Sequence, residues 1–403
     1  MRFAWVFLAF LLWTTLVSSK KTWLKCDEDL NKQIQKASHG DVLKANPTCM
    51  YTVDKAIKIQ KKLKLRNIRA KLKDGVGLTA IFKVLAEGVV IQDFVLYGNK
   101  KTVSQPDRMS LILVFRSKCI IRRGVFVGAT QNGVLVRPSE NGKEIVGGRL
   151  EDLVGRGCMR DVVSISTRDA GKLKTRRIVV KNIKAYNSPK KGAVEVSDGA
   201  KNIRVENIYA EDCVYAIDIQ DHNKGALEKN SRIRISNVHA KNSKYAIHSQ
   251  TSDIGHSDIV ISNVRAENCN QAIYLKNIGK LSIDGLDSIG GKGQGNGVEL
   301  DNCNDLTLKH VKFGSKQGSS AVLLKNSSKI TINDVVLNNG SGFNYGITFI
   351  ATKSKNYRGL TIEDTDVTAA RTIGLRILEL APKTELGGIK LSNLRGTIIP
   401  AII

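Results

Sequence analysis

Apolar and polar positions alternate along this chain in short segments that recur over most of its length. Four segments show the repeat most clearly: RRIVVKNIKAYNS, KNIRVENIYAEDC, SRIRISNVHAKNS and SDIVISNVRAENC. Alternation of this kind over four to eight residues is typical of a β-strand with one buried face. Self-similarity with a period of about 22–30 residues indicates a solenoid. The segments GKLSIDGLDS, NDLTLKHVKF, SKITINDVVL, RGLTIEDTDV and GGIKLSNLRG continue the pattern to the C-terminus.

A second type of strand lies between these segments. Its copies are DVVSIST, GAVEVSD, YAIDIQD, YAIHSQT, QAIYLKN, NGVELDN, SAVLLKN and YGITFIA. Gly, Asn and Asp turns join the two types, which leaves no room for a helix of about ten residues and excludes leucine-rich and ankyrin-type arrays. We therefore predict an all-β fold, a single-stranded parallel β-helix in which equivalent positions of successive coils stack about 4.8 Å apart.

One column of polar residues supports this stacking independently. Asn182, Asn207, Asn237 and Asn263 occupy the same turn position of four repeats, and Asp334, Asp364 and Asn393 continue the column. Stacked amide side chains can form a hydrogen-bonded ladder. A row of ligand-binding side chains is the alternative, but Asn also favours turns for local backbone reasons. A structural ladder is the preferred interpretation.

The coil pattern of residues 111–403 resembles the pectin-lyase-like superfamily of right-handed parallel β-helix proteins. This superfamily includes polysaccharide lyases, polygalacturonase-type hydrolases, epimerases and phage tailspikes, so the resemblance implies a right-handed β-helix and leaves the activity open. The hydrolase motifs Asn-Thr-Asp, Asp-Asp, Gly-His-Gly and Arg-Ile-Lys have no match, since the nearest segments are Arg168-Asp169 and Gly255-His256-Ser257. No catalytic residue of that family is carried over.

The N-terminus predicts export and a capped solenoid. Arg2 precedes an apolar run at residues 3–17 and the pair Ser18 and Ser19, which is the pattern of a secretory signal peptide over residues 1–19. No later segment is long and apolar enough to cross a bilayer, so we expect a secreted, extracellular protein without a membrane span. Residues 20–75, with the helix-compatible segment DLNKQIQKA, are predicted to form an N-terminal cap, and residues 76–403 the β-helix. Cys26 and Cys49 could close a disulfide within the cap.

A formal net charge of +26 predicts attraction to polyanions. An acidic polysaccharide is the favoured partner, with an anionic mineral such as silica as an alternative. Nucleic acid is not expected, because no recognised nucleic-acid-binding module is present. A basic surface that only aids solubility is the simplest other explanation. Exposed solenoid ends leave association into a homo-oligomer open.

Candidate chemistry lies on the outward positions of the second strand type. If Val194 and Val196 face the core, Glu195 faces outward, and the same register predicts an exposed column of Ser164, Glu195, Asp218, His248, Tyr274 and Glu299. Glu195 and Asp218 would be neighbours near 5 Å, as in a carboxyl pair that cleaves a glycosidic bond. Glu195, Asp218 and His248 are the catalytic candidates. The candidates for substrate binding are Arg168, Asp221, His222, Tyr274, Lys276 and Glu299, and Asp169 and His256 are further groups expected at the rim of the strands.

Besides adhesion to a host or cell-surface glycan in the manner of a tailspike, two function classes follow from these residues. The first is an enzyme, a polysaccharide lyase or a glycoside hydrolase, that acts on an acidic polysaccharide by β-elimination or hydrolysis. The second is a non-catalytic extracellular matrix protein that binds polyanions or silica, in which the polar column merely faces solvent. No cofactor or metal site is predicted, although calcium would be compatible with a lyase.

Overall fold

The computed structural model describes residues 19–76, 80–99, 110–139, 142–168, 171–222, 226–250, 255–291, 295–314, 317–352, 356–379 and 385–401. The predicted signal peptide therefore lies, apart from Ser19, outside the described residues. Within the described ranges, no helix is long and apolar enough to span a membrane.

The N-terminal part holds short strands and one helix: β1 (Lys21–Leu24), α1 (Leu30–Lys36), β2 (Val42–Ala45), β3 (Tyr51–Val53), β4 (Ile57–Ile59), β5 (Lys64–Arg66), β6 (Arg69–Leu72), β7 (Phe82–Val84) and β8 (Val90–Tyr97). The middle part alternates short and long strands: β9 (Ile112–Val114), β10 (Cys119–Val127), β11 (Val134–Val136), β12 (Ile145–Arg156), β13 (Val163–Ile165), β14 (Thr175–Tyr186), β15 (Gly192–Ser197), β16 (Lys201–Glu211), β17 (Tyr215–Gln220), β18 (Ser231–Lys241), β19 (Tyr245–Gln250) and β20 (His256–Glu267). A 3₁₀ turn, Ala226–Glu228, precedes β18.

The C-terminal part continues the alternation: β21 (Gln271–Lys276), β22 (Ile278–Ile289), β23 (Val298–Asp301), β24 (Asn304–Phe313), β25 (Gln317–Lys325), β26 (Ser328–Leu337), β27 (Gly342–Ala351), β28 (Asn356–Asp366), β29 (Ile373–Glu379), β30 (Glu385–Arg395) and β31 (Ile398–Ala401). From β9 onward, each strand pairs in parallel with the strand two positions further along the chain. Two parallel sheets of 17 and 14 strands result for the described residues, which confirms the predicted β-solenoid.

The main hydrophobic core of the described residues is elongated and lies between the two sheets. Inward residues such as Val194, Val196, Ile217 and Ile219 are fully buried, as the alternation predicted. Coil after coil adds Val, Ile and Leu side chains in register, so each coil buries its apolar face against its two neighbours.

The long strands bend at the predicted asparagine column. Asn182, Asn207, Asn237 and Asn263 have φ values of 56°, 57°, 56° and 53°, a left-handed conformation that asparagine tolerates better than most residues. The Nδ2 atom of each later residue donates to Oδ1 of the one before, at 2.8 Å, 2.9 Å and 3.1 Å. The amide ladder is therefore confirmed.

The N-terminal segment contains the expected helix and disulfide. Helix α1 begins after Asp29, whose carboxylate accepts the backbone N–H of Lys32 at 2.7 Å, and it buries Leu30 and Ile34. Cys26 and Cys49 form a disulfide with a Cα–Cα distance of 5.2 Å. Parallel pairing crosses residue 76, because β4 pairs with β7, so the boundary between cap and β-helix stays a prediction.

Candidate functional site

The predicted column exists in the predicted register. Paired positions of successive strands in the 14-stranded sheet place Ser164, Glu195, Asp218, His248, Tyr274 and Glu299 one above the other. Inward neighbours fill the core, so these six side chains lie on the outer surface of the sheet.

Glu195 and Asp218 lie on this surface, but the prediction that they are exposed is wrong. Glu195 is 2% exposed and Asp218 is 0% exposed. The Arg160 guanidinium lies 3.0 Å from Glu195 Oε2. Lys191 Nζ bridges the two carboxylates, at 3.4 Å from Glu195 Oε2 and 3.4 Å from Asp218 Oδ2. Two cations from the turns that precede the strands therefore cover the two acids.

Neutral side chains also donate hydrogen bonds to the two carboxylates. The hydroxyl of Ser164 donates to Glu195 Oε1 at 3.1 Å, and the side-chain amide of Gln220 donates to Asp218 Oδ2. Buried carboxylates need such partners, because burial without hydrogen bonds penalises their charged form.

His248 is the accessible functional group above the acids. Its Nδ1 lies 2.9 Å from Asp218 Oδ1, and its side chain is 16% exposed. If Asp218 is ionised, it accepts the Nδ1–H, which leaves the lone pair of Nε2 free to take a proton. The same carboxylate–imidazole arrangement orients the base in hydrolytic triads.

Three tyrosines surround the His248 ring. The Tyr274 ring stacks at 5.5 Å with an interplanar angle of 20°, and the Tyr215 ring lies parallel at 6.2 Å. Tyr245 packs at 4.6 Å, and Lys244 Nζ lies 5.2 Å from the centroid of its ring. Tyr245 and Tyr274 are partly exposed, whereas Tyr215 is 2% exposed.

Asp161 was missed by the sequence prediction and lies fully buried beneath this group. Tyr215 donates its hydroxyl hydrogen to Asp161 Oδ1 at 3.0 Å, and the Gly192 N–H points to the same oxygen at 3.3 Å. Burial, and then the charge of Glu195, raise the pKa of Asp161 well above its ordinary value. Gly192 is required at this position because a Cβ there would lie 1.7 Å from the carbonyl oxygen of Tyr215.

Arg160 and Lys191 were also missed. They sit in turns, immediately before Asp161 and Gly192, and the register pairs Gly192 with Tyr215 of the next coil. A search for charged residues at equivalent turn positions, rather than within the strands, would have found them.

His222 forms a second carboxylate–histidine pair beside the site. Its Nδ1 lies 2.9 Å from Asp198 Oδ1, and Ser166 donates to Asp198 Oδ2 at 2.7 Å. The hydrogen bond to Asp198 raises the pKa of His222, and the nearby charge of Glu195 acts in the same direction. Burial would raise the pKa of Asp198, but the hydrogen bond from His222 outweighs it and lowers that pKa. The role of His222 in substrate binding stays a prediction.

The other candidates lie on the surrounding coils. Arg168 pairs through its backbone with Leu173 at 3.1 Å, and Asp221 is 8% exposed. The backbone N–H of Lys276 donates to Ser249 Oγ at 2.8 Å. Glu299 Oε2 accepts from the side-chain amides of Asn296 at 2.9 Å and Gln271 at 3.3 Å.

His256, a further rim candidate, does not join the site. His256 is 1% exposed and accepts the backbone N–H of Asn230 at 3.1 Å. Burial lowers the pKa of His256 to about 4, so the ring is neutral near pH 7 and its placement at the rim was wrong. Asp169 lies outside the described residues.

The donor set does not fit a calcium ion. Calcium prefers six to eight oxygen ligands, with carboxylates free to coordinate. Here Glu195 Oε2 and Asp218 Oδ2 already face Arg160 and Lys191. Within the ranges that the structure describes, no three His, Cys, Asp or Glu side chains are grouped closely enough to hold a metal ion.

Comparisons with known proteins agree with the fold. A family profile described as "Right handed beta helix region" matches residues 196–367. No curated protein matches the chain in sequence. Gene product 12 of bacteriophage phi29, in its pre-mature form, superposes with a TM-score of 0.65 at 15% identity; the alignment covers 87% of this chain and 52% of that chain, so this chain spans about half its length.

Two further proteins are similar in structure and are covered over most of their length. The alginate lyase AlyF-OU02, in complex with G6, gives a TM-score of 0.55 at 12% identity over 92% of this chain and 82% of that chain. PfbA, a surface adhesin of Streptococcus pneumoniae, gives a TM-score of 0.52 at 11% identity; the alignment covers 79% of this chain and 85% of that chain. At these identities the likeness concerns the fold alone. The chain is thus a right-handed parallel β-helix protein, as its resemblance to the pectin-lyase-like superfamily predicted.

Proposed function

We propose that this protein is secreted, binds an acidic polysaccharide along the 14-stranded sheet and cleaves it by β-elimination. The observation that carries the proposal is the hydrogen-bonded Asp218–His248 pair beside Lys191 and Arg160. The pair offers a base, and the two cations can accept the negative charge of a sugar carboxylate.

The reaction needs a base and a positive charge from the protein. His248 Nε2 removes the proton from C5 of a uronate residue. Arg160 and Lys191, whose side chains are 30% and 19% exposed, neutralise the uronate carboxylate, which makes that proton more acidic. The electron pair of the C5–H bond forms the C4–C5 double bond, the C4–O bond breaks, and the leaving oxygen takes a proton from solvent.

The surroundings supply the excess positive charge that this step requires. Arg160 and Lys191 balance the charges of Glu195 and Asp218, while Lys190 and Lys244, both exposed, add two further positive charges at the same edge of the sheet. Tyr245 and Tyr274, which are partly exposed beside His248, offer ring faces to the sugars.

Hydrolysis is less well supported by the geometry. A glycosidase needs two carboxyl groups that reach the glycosidic bond from both sides. Glu195 and Asp218 lie under their cations, and Asp161 is buried against Tyr215. None of the three offers an oxygen atom to a polymer on the surface.

Two observations support the remaining parts of the proposal. The Cys26–Cys49 disulfide suits an oxidising compartment and therefore export. The alginate lyase of similar fold acts, by its name, on an acidic polysaccharide.

Replacing the base tests the mechanism. We expect His248→Ala to lower cleavage of the responsive polymer about 10²-fold or more, the usual contribution of a general base. The assay incubates the protein with polygalacturonate, alginate and unsulfated chondroitin and follows the ultraviolet absorbance of the unsaturated product.

A matched control is available on the other sheet. His310 also pairs through Nδ1 with an aspartate, Asp284, at 2.6 Å, but its side chain is 56% exposed and far from the column. His310→Ala should leave cleavage unchanged. Salt-sensitive binding of all three polymers without any cleavage would instead establish the non-catalytic binding protein.

A further inference from the structure

The outer face of the 17-stranded sheet carries a group of cations near its N-terminal end, whereas the candidate site lies on the other sheet. Register pairing across β1, β2, β5, β8 and β10 forms one outward column of Trp23, Lys44, Arg66, Gln92 and Arg122. Lys64 lies two residues before Arg66 on β5 and therefore on the same face. Lys64, Arg66 and Arg122 form the basic cluster.

Neighbouring acids do not cancel the charge of the basic cluster. Asp93 forms its ion pair with Arg123, at 2.6 Å. Glu151, the next residue of the column, forms its ion pair with Arg149, also at 2.6 Å. Among the residues that the structure describes, no carboxylate forms an ion pair with a member of the cluster. Its three positive charges are therefore available to an external anion.

A neutral side chain holds Arg122 in place. Gln92 is 2% exposed, and its Oε1 accepts from Arg122 Nε at 3.3 Å and from Arg122 Nη2 at 3.0 Å. The Nε2 atom of Gln92 donates to Asp93 Oδ2 at 2.7 Å. A buried amide thus orients the guanidinium without neutralising it, which lowers the entropy that binding of an anion would cost.

The members of the cluster are close enough to repel one another. Burial lowers the pKa of Lys64, and the charges of Arg66, Arg122 and Arg123 lower it further, against a smaller opposite effect of Asp93. A bound anion would relieve this repulsion. The arrangement is therefore that of an anion-binding site rather than of a network of surface ion pairs.

We propose that the basic cluster binds the sulfate groups of a polysaccharide, at a second site separate from the candidate site on the other sheet. A sulfate ester presents three terminal oxygens, so one group can accept from Lys64 and from a guanidinium at the same time. Trp23, 56% exposed beside Lys44, offers its ring to a sugar at the end of the column. A flat anionic membrane would also face Asp93 and Glu151, whereas a single polymer chain across the cluster need not.

Binding of the whole protein to two dextrans tests the inference. Dextran sulfate and carboxymethyl-dextran, of equal length and degree of substitution, share a backbone without uronate and are titrated by calorimetry at about 0.15 M salt. We expect dextran sulfate to bind more tightly. The double variant Arg66→Gln with Arg122→Gln should weaken its binding about tenfold, the effect of losing two partly exposed ion pairs.

A milder variant guards against loss of stability in the double variant. Lys64→Gln removes a charge that takes part in no ion pair with a described residue, so the fold should tolerate it. We expect this variant to weaken the binding of dextran sulfate about threefold, in line with the loss of one ion pair to the ligand.

The control removes two positive charges from the same column at positions with acidic neighbours. Lys181 lies in register between Glu151 and Glu206, and Lys309 follows Asp284. Lys181→Gln with Lys309→Gln makes the same change in net charge as the double variant and should leave the binding of dextran sulfate unchanged.

Three results would overturn the inference. The first is equal or tighter binding of carboxymethyl-dextran. The second is a dextran sulfate affinity that responds to neither cluster variant, or that the control variant lowers equally. The third is binding of phosphatidylglycerol vesicles through the cluster with no binding of dextran sulfate, which would assign the cluster to a membrane. None of these titrations depends on cleavage, so failure of the proposed function would leave their outcome unaffected.

Discussion

Asp161 shows how one residue can shape the site without reaching its surface. Its carboxyl group is buried beside Glu195, and one of its oxygens, Oδ2, is buried without a hydrogen-bond partner. A protonated carboxyl avoids a third negative charge in this cluster. Asp161 also holds the hydroxyl of Tyr215, whose ring lies parallel to His248. We interpret it as a positioning residue.

The raised pKa of Asp161 predicts that the free energy of unfolding depends on pH. In the unfolded chain this carboxyl ionises near its ordinary value of about 3.9, whereas the folded chain keeps the proton to higher pH. The unfolded state is therefore favoured progressively as pH rises above about 4. The Asn side chain of Asp161→Asn cannot ionise. The melting temperature of this variant, minus that of the unchanged protein, should therefore increase from pH 4 to pH 7. Thermal unfolding at a series of pH values measures this gain.

An exposed aspartate serves as the reference. Asp305 forms an exposed ion pair with Lys329 at 3.4 Å, and Asp305→Asn should show no such gain. A melting-temperature difference for Asp161→Asn that stays constant across the pH range would contradict the protonated state.

At the residue scale, the sequence predicted which side of a strand each side chain faces better than it predicted the solvent exposure of that side chain. The two-residue alternation was enough to align Glu195, Asp218 and His248, because the core fixes which side of a strand faces outward. It could not predict burial of the acids, since Arg160 and Lys191 reach them from turns whose conformation follows no period.

At the scale of the structural elements, the asparagine ladder is the feature that sets the shape of each coil. Each asparagine bends a long strand at a left-handed residue and bonds to the asparagine of the coil before it. Gly285 takes the same column position one coil after Asn263, with a φ of 81°. The backbone conformation is therefore the stricter requirement, and the amide hydrogen bonds add to it.

Replacing one ladder residue separates these two contributions. Asn207→Ala removes hydrogen bonds to Asn182 and Asn237 and places a Cβ residue at a φ of 57°. We expect a loss of about 2–3 kcal/mol in the free energy of unfolding. Asn207→Gly keeps the conformation accessible and should lose less. Denaturant unfolding of both variants is the measurement, and an alanine variant as stable as the glycine variant would refute this order.

The elements were predictable because each coil repeats the same local pattern. The strand pairs, the asparagine column and the helix at Leu30–Lys36 all follow from periods or short motifs. The turns are not periodic, and they carry Arg160, Lys191 and Asp198. The cations of the site therefore lay in the part of the sequence that repeats least, whereas Asp218 and His248 lay in the periodic strands.

At the scale of the whole molecule, the fold offers an extended surface and the charge favours an acidic ligand. Successive coils place the site residues along the helix axis, so a polymer that contacts them runs parallel to this axis. In the proposed function, the net charge of +26 attracts such a polymer, and the Asp218–His248 pair with its two cations supplies the chemistry. Similar folds carry different activities, so the activity must be tested on the site itself.

The mass of the products tests the central claim, cleavage by β-elimination, most directly. Elimination adds no water, so the masses of the two fragments sum to that of the parent oligosaccharide, and one fragment carries a double bond. We predict this result from mass spectrometry of an acidic oligosaccharide after incubation with the protein. Fragments that together weigh one water molecule more than the parent would show hydrolysis and contradict the account.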